Sequence, residues 1–257
     1  MKRYCLISIL LISISAYGQR NFYFGLGGGL NFDGATAGNV GLGYNLGMGN
    51  NFGLRTGIDF SFLNARTPGD RSETYALDAK WHNTPEGYQV RNTAWASDIE
   101  QRGRALYLQV PVIAQYRTGA FYGAGGVKFG IPLSGSYTVS ARQLSATGYS
   151  EYSGQTFANM PSEGFTTFTD LSNSSGLGLR FAVLLSLEAG LVWDLQSERR
   201  LYTGVFMDYS LTGLTDAGGA FVEYNGANAP VLSGSHVDFG KAIVGLAVRM
   251  TLTKRQQ

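Results

Sequence analysis

Cysteine is nearly absent from this chain. The single one, Cys5, lies in an apolar run at the start, so no disulfide framework is expected. Histidine is almost as scarce, with His82 and His236 alone, and no metal-ligand spacing surrounds either of them. Charged residues make up 15% of the chain, against about 25% in soluble domains. The formal net charge is only +2, so there is no basic footprint for nucleic acid. Long apolar runs are missing too. No stretch approaches the roughly 18 residues that a membrane-spanning helix needs.

The first residues supply an address. Lys2 and Arg3, an apolar run from Tyr4 to Ile14, and Ala16-Tyr17-Gly18 ahead of Gln19 fit a secretory signal peptide over residues 1–18. The run is too short to span a bilayer. Cys5 sits inside it, too early for a lipoprotein cysteine, so residues 19–257 are expected to form one domain with no lipid anchor. Loss of Lys2 and Arg3 takes the formal charge to zero.

What the chain does have is alternation. From Gly178 to Leu195 the odd positions, among them Leu179, Phe181, Val183, Leu185, Leu187, Leu191 and Trp193, are apolar, while the even ones include Arg180, Ser186, Glu188 and Asp194. A period of two is a strand signal. Seven more stretches repeat it: Phe22 to Phe32, Val40 to Met48, Phe52 to Phe62, Leu106 to Tyr116, Phe121 to Leu133, Leu201 to Leu211 and Ala242 to Leu252. One face of nearly every stretch stays apolar over about the 9 to 11 residues that cross a bilayer as a strand.

The connections sort by length. Gly49-Asn50-Asn51, Thr118-Gly119 and Gln196 to Arg199 are of hairpin size, with turn-forming residues. The others are mostly long, about 64–103, 135–176 and 213–238, and only 33–39 is short. In an up-and-down barrel, alternate connections share a rim, so short turns and both termini fall at one end and long loops at the other. A soluble eight-stranded barrel would turn its apolar face inward. The expectation is an all-β fold, an eight-stranded antiparallel up-and-down transmembrane β-barrel in the outer membrane of a Gram-negative bacterium. Its termini are expected in the periplasm, and its partners are outer-membrane lipid and lipopolysaccharide.

Glycine is abundant, 36 of 257 residues and about twice the usual share. Gly25, Gly27, Gly29, Gly41, Gly43, Gly47, Gly53 and Gly57 fall on the inferred inner face. Two readings stay open: they make room for large inward side chains in a narrow barrel, or they let strands bend. Gly25-Leu26-Gly27-Gly28-Gly29 is not read as a dinucleotide loop, because no helix pattern follows it.

The segment Ala105 to Tyr116 (ALYLQVPVIAQY), a turn, then Phe121 to Gly130 (FYGAGGVKFG) resembles the central hairpin of the small PorT-like outer-membrane barrels of Bacteroidetes. The shared features are a mid-strand proline and an aromatic-Gly-x-Gly strand. The likeness extends loosely over the barrel but not the long loops. It implies an outer-membrane barrel, in some members associated with type IX secretion, and carries no catalytic residues or cofactor. The chain departs from the common terminal phenylalanine, ending its last strand at Leu252.

Ten charges take the inward parity: Arg55, Asp59, Arg117, Lys128, Arg180, Glu188, Asp194, Asp208, Lys241 and Arg249. Buried charges must be paired or hydrated. Glu188 and Asp208 are expected near each other with a cation such as Lys128 between them. This is either an ionic plug or a narrow ion path. The loops add aromatics among small polar residues, including Tyr75, Trp95, Tyr137, Tyr149, Tyr152, Phe157, Phe165 and Phe168, which serve contact surfaces or pack the loops down. Ser233-Gly-Ser-His-Val-Asp238 gathers the residue types of a hydrolase, but no G-x-S-x-G elbow accompanies them. The sequence therefore reads as a non-enzymatic barrel without cofactor, structural or partner-binding. Alternatives are a subunit of an outer-membrane secretion or assembly machine, with other outer-membrane proteins as partners, and a lipid A-modifying enzyme.

Overall fold

The computed structural model describes residues 20–31, 34–49, 51–68, 81–83, 89–195, 199–216, 222–224, 230–233 and 236–251. The strands are β1 (Arg20–Asn31), β2 (Thr36–Gly47), β3 (Phe52–Pro68), β4 (Trp81–Asn83), β5 (Gln89–Ser97), β6 (Glu100–Thr118) and β7 (Phe121–Ser150). They continue as β8 (Gln155–Phe157), β9 (Thr167–Gly176), β10 (Ala182–Asp194), β11 (Arg200–Ser210), β12 (Val222–Tyr224), β13 (Pro230–Leu232) and β14 (Ala242–Thr251). The segments read as the signal peptide and as the chain's last residues lie outside the described residues.

Eight strands close a ring in the order β1, β2, β3, β6, β7, β10, β11, β14, and β14 pairs back to β1. Every neighbour is antiparallel. The chain is an eight-stranded closed antiparallel β-barrel, with no free edge in its wall. The turns after β2, β6 and β10 share a rim with the start of β1 and the end of β14, and the longer connections share the other. The ladder between β3 and β6 passes from Thr56↔Val112 to Asp59↔Gln109 without pairing the residues between. Pro111 lies in that gap, where a ring nitrogen has no hydrogen to donate.

The wall is apolar outside. Leu26, Leu42, Ile58, Phe60, Leu185, Leu187, Val205, Leu246 and Val248 are all exposed. A continuous belt of such side chains suits hydrocarbon and not water. Aromatics bound it at the turn rim, where Phe22 meets Tyr44, Phe52 meets Tyr116, and Trp193 donates to Thr203 Oγ1 at 2.9 Å. Phe62 and the stacked pair Phe129 and Phe181 lie toward the other rim. Phe52 and Phe62 stand ten residues apart on β3, the length of strand that crosses a bilayer.

Beyond Phe62 the pattern inverts. On β3, Leu63 and Ala65 are buried while Asn64 and Arg66 are exposed; on β6, Gly103 and Ala105 are buried while Arg102 and Arg104 are exposed. On β7 the same inversion needs a register slip, which falls opposite Leu106 and Tyr107 and leaves Leu133 as the extra residue. Below the slip Phe129, Ile131 and Leu133 point outward; above it Tyr137, Val139 and Ala141 are buried. A bulge of one residue exchanges the faces of everything after it.

The stretches 64–103 and 135–176 were expected as loops, and much of each is strand. β3 runs on to Pro68, β6 starts at Glu100, and β7 continues to Ser150. Past the wall β7 pairs with β9 on one side and with β5 on the other, and β5 carries β4. These strands form a head whose core includes Ala94, Ala96, Val139, Leu144 and Leu232. The expectation failed here because a strand with water on its outer face alternates in the opposite sense to a lipid-facing one. Its small Ala, Ser and Gly residues blur the signal further.

Two inner glycines show why the interior needs them. A Cβ on Gly25 would stand 2.7 Å from Arg249 Cγ, and one on Gly41 1.8 Å from Asp59 Oδ1. At these positions the absence of a side chain makes space for a charge.

Candidate functional site

The inner side chains of β3, β7, β10, β11 and β14 meet near the middle of the barrel. Glu188 Oε2 accepts from Arg55 Nη2 at 2.9 Å, and Glu188 Oε1 accepts from Tyr122 Oη at 2.5 Å and from Arg249 Nη2. The Arg249 guanidinium also lies over the rings of Tyr122 and Tyr202, 5.4 and 5.3 Å from their centroids. Lys128 Nζ donates to Asp208 Oδ2 at 2.7 Å and sits 5.5 Å from the centre of the Phe206 ring. Aromatic faces thus help to hold cations that have left water.

The charges form two groups rather than one. Lys128 goes with Asp208, and Glu188 is held by two arginines, so the expected bridge of Lys128 between the two acids is corrected. The reason is register: Glu188 stands opposite Phe206 and Asp208 opposite Ser186, one inward step apart on neighbouring strands. Asp59 lines a cavity of about 40 Å³ together with Arg55, Lys128, Glu188 and Arg249. That volume has room for roughly two or three water molecules.

Four of the ten charges assigned to the lumen lie at the rims instead. Arg117 and Arg200 both donate to Asp194 at 3.0 Å at the turn end. Arg180 pairs with Asp216 at the other end, and Lys241 is exposed. All four have inward parity, but each sits at or beyond the end of its strand, where the side chain reaches water.

The head-side mouth is filled. Val237 and Phe239 are fully buried, and Val237 packs so closely on Gly103 that a Cβ there would stand 2.1 Å from its Cγ1. Asn31 Nδ2 donates to the Phe239 carbonyl at 2.8 Å, and Gln101 Oε1 accepts the His236 amide at 2.9 Å. Tyr107 Oη donates to the Leu214 carbonyl at 2.7 Å. This plug was missed in the sequence. Its only signal is the apolar pair Val237 and Phe239, two residues apart inside a polar loop.

Of the hydrolase-like residues, Ser235 lies outside the described residues. Asp238 Oδ1 accepts the amide of Gly240 at 2.8 Å, while the His236 side chain is exposed. His82 belongs to β4, and its side chain lies outside the described residues. Among the described residues no cluster of His, Cys, Asp and Glu is arranged to hold a metal ion. The loop aromatics divide between the two roles left open: Phe165 and Tyr137 are buried in the head, whereas Tyr152 is 99% exposed at the turn between β7 and β8. Tyr75 lies outside the described residues.

No family model and no curated protein sequence matches the chain. Solved structures similar to it include Ail, the attachment invasion locus protein of Yersinia pestis, at 14% identity and a TM-score of 0.28, covering 91% of this chain and 97% of that one. Neisserial surface protein A is similar at 10% identity and 0.29, covering 91% and 94%. A major outer membrane protein from Thermus thermophilus is similar at 14% and 0.34, covering 91% and 99%. At these identities the likeness concerns the fold alone.

Proposed function

We propose that this protein is a non-enzymatic outer-membrane β-barrel that holds its head outside the cell and contacts another envelope or surface component through it. The observation that carries this reading is the head. A barrel that only filled the membrane would end its strands near Phe62 and Leu133, yet three wall strands continue, invert their polarity and gather β4, β5, β8 and β9 into a packed sheet. Ordering those residues costs about 1 to 2 kcal/mol of backbone entropy each. Their apolar core is enclosed, and their outer faces are Ser, Thr and Arg with Tyr149 and Tyr152 exposed. Small polar residues with isolated tyrosines are the composition of contact surfaces. The PorT-like character of the β6–β7 hairpin supports the same reading, as does a lumen occupied by charge pairs and a plug.

Two measurements test it. Cys5 is the sole cysteine, so Tyr152→Cys and Asn51→Cys report on opposite ends once residues 1–18 are removed. A membrane-impermeant maleimide should label Tyr152→Cys on intact cells and leave Asn51→Cys unlabelled; the reverse pattern inverts the orientation. A photo-crosslinking residue at Tyr149 or Tyr152 should give a discrete adduct in native envelopes, while one at Asn51 should not. Absence of any adduct from the head positions overturns partner contact.

A further inference from the structure

The register places outward side chains of the wall in rows that run across the strands. One row joins Asn64, Arg104 and Ser136; the row beneath it, toward the apolar belt, joins Gly38, Phe62 and Leu106. A groove of about 560 Å³ opens on the outer wall along these two rows. It lies where the wall changes from hydrocarbon-facing to water-facing. Its space comes partly from Gly38, beside which a Cβ would meet nothing within 4 Å.

Arg104 is exposed in this groove, and its side chain has no hydrogen bond or ion pair among the described residues. The arginines of the next row, Arg66 and Arg102, differ, since both are engaged by Glu100. No carboxylate lines the groove. It therefore offers an unopposed guanidinium, flanking hydroxyl and amide groups, and an apolar floor below them, in the order that a bilayer presents phosphate and acyl chain. Guanidinium pairs with phosphate in a two-pronged geometry, and a cation near an anionic membrane surface gains further from its field.

We propose that this groove seats a phosphorylated lipid of the outer leaflet, with its phosphate on Arg104 and an acyl chain against Phe62 and Leu106. The proposal rests on the orientation argued above, because the leaflet that the groove faces follows from it. The phosphate-bearing glycolipid of that leaflet is the occupant, and phospholipid of the inner leaflet is excluded by position.

The test uses the full chain folded in detergent micelles, with bound lipid counted by native mass spectrometry. The probes are bisphosphorylated lipid A, its dephosphorylated form, and phosphatidylglycerol. The wild type should retain one lipid A and bind the dephosphorylated form about tenfold more weakly, the loss expected for one charge-assisted contact. Arg104→Gln should weaken lipid A about as much, and Gly38→Leu, which fills the groove without touching the arginine, should weaken all three probes. Arg117→Gln, at the opposite rim, should leave binding unchanged. Equal retention of lipid A by wild type and Arg104→Gln, both shown to be folded by their heat-dependent gel mobility, overturns the site. A preference for phosphatidylglycerol over lipid A overturns the outer-leaflet occupant. Maleimide labelling of Tyr152→Cys reports the orientation independently, so a failed site and a failed orientation are told apart.

Discussion

Arg55 Nη2 and Glu188 Oε2 stand 2.9 Å apart, although they rise from β3 and β10 with β6 and β7 between them on the wall. The contact runs through the interior rather than along the sheet. Arg249 of β14 reaches the same carboxylate from the other side, and Tyr122 of β7 donates to it. One acid thus ties four strands across the lumen, which fixes the cross-section of the barrel and fills it at once.

Removing the charge of that acid should be costly. Glu188→Gln leaves Arg55 and Arg249 buried without the carboxylate that they pair with, and breaking a buried pair in this way costs about 3 to 5 kcal/mol. Urea unfolding in lipid vesicles should show that loss. Adding Arg55→Met should restore part of it, since one of the two orphaned charges is then gone. A Glu188→Gln barrel within about 0.5 kcal/mol of the wild type, the scatter of a neutral surface change, sinks the account.

The same tie predicts electrical silence. The cavity of about 40 Å³ beside the charge cluster has room for only a few waters, and Val237 and Phe239 are buried at the head-side mouth. In planar bilayers the protein should show no stable porin-like conductance. Deletion of the plug alone should not open a wide pore, because the charge cluster lies below it. A reproducible large conductance from the wild type would contradict both layers.

The membrane half of the molecule was legible because lipid imposes a strong rule: most outward residues of β1, β2, β10, β11 and β14 are apolar, and the short turns fixed which strands were neighbours. The head was not, because its strands reverse the rule and β7 reverses it through a bulge at Leu133 that no turn residue announces. The parity of single residues survived better than their surroundings. Leu184 points inward, as its even number requires, but it belongs to the apolar core at the mouth and is 4% exposed. An arginine there would be disruptive in spite of the inward parity, because it would bury a charge among apolar side chains. The lumen charges were visible as inward parity. Which pairs formed was not, since a shift of two residues between β10 and β11 decides whether Lys128 serves one acid or both.

Acid should weaken one charged contact of the head. Hydrogen bonds from Arg102 and then Arg66 hold the Glu100 carboxyl below its ordinary range. A depressed carboxyl stabilises the fold above the unfolded value, and the contribution disappears as pH falls through the lower folded value. The pair is partly exposed, so its worth is about 0 to 1 kcal/mol at neutral pH. Glu100→Gln should therefore lower head stability slightly at pH 7, measured by amide exchange in β5 and β6, and the two proteins should converge at pH well below 4. A difference that grows on acidification instead would give the contact the wrong sign.

The depth of the wall is the last quantity that the structure fixes, and two outward residues of β3 measure it. Ile58 is 48% exposed in the apolar belt, and Asn64, six residues on, lies in the row where the pattern inverts. Both face away from the lumen, so substitution at either leaves the charge network alone. Arginine near the bilayer midplane costs about 2 to 4 kcal/mol and near the interface about 0 to 1. Ile58→Arg should accordingly shift the urea midpoint in vesicles strongly, while Asn64→Arg should be almost silent. Thinning the bilayer with shorter acyl chains should reduce the penalty at Ile58, because a midplane charge then lies closer to water. Equal penalties at the two sites would mean that the inversion at Phe62 does not mark the membrane edge, and that the head begins elsewhere.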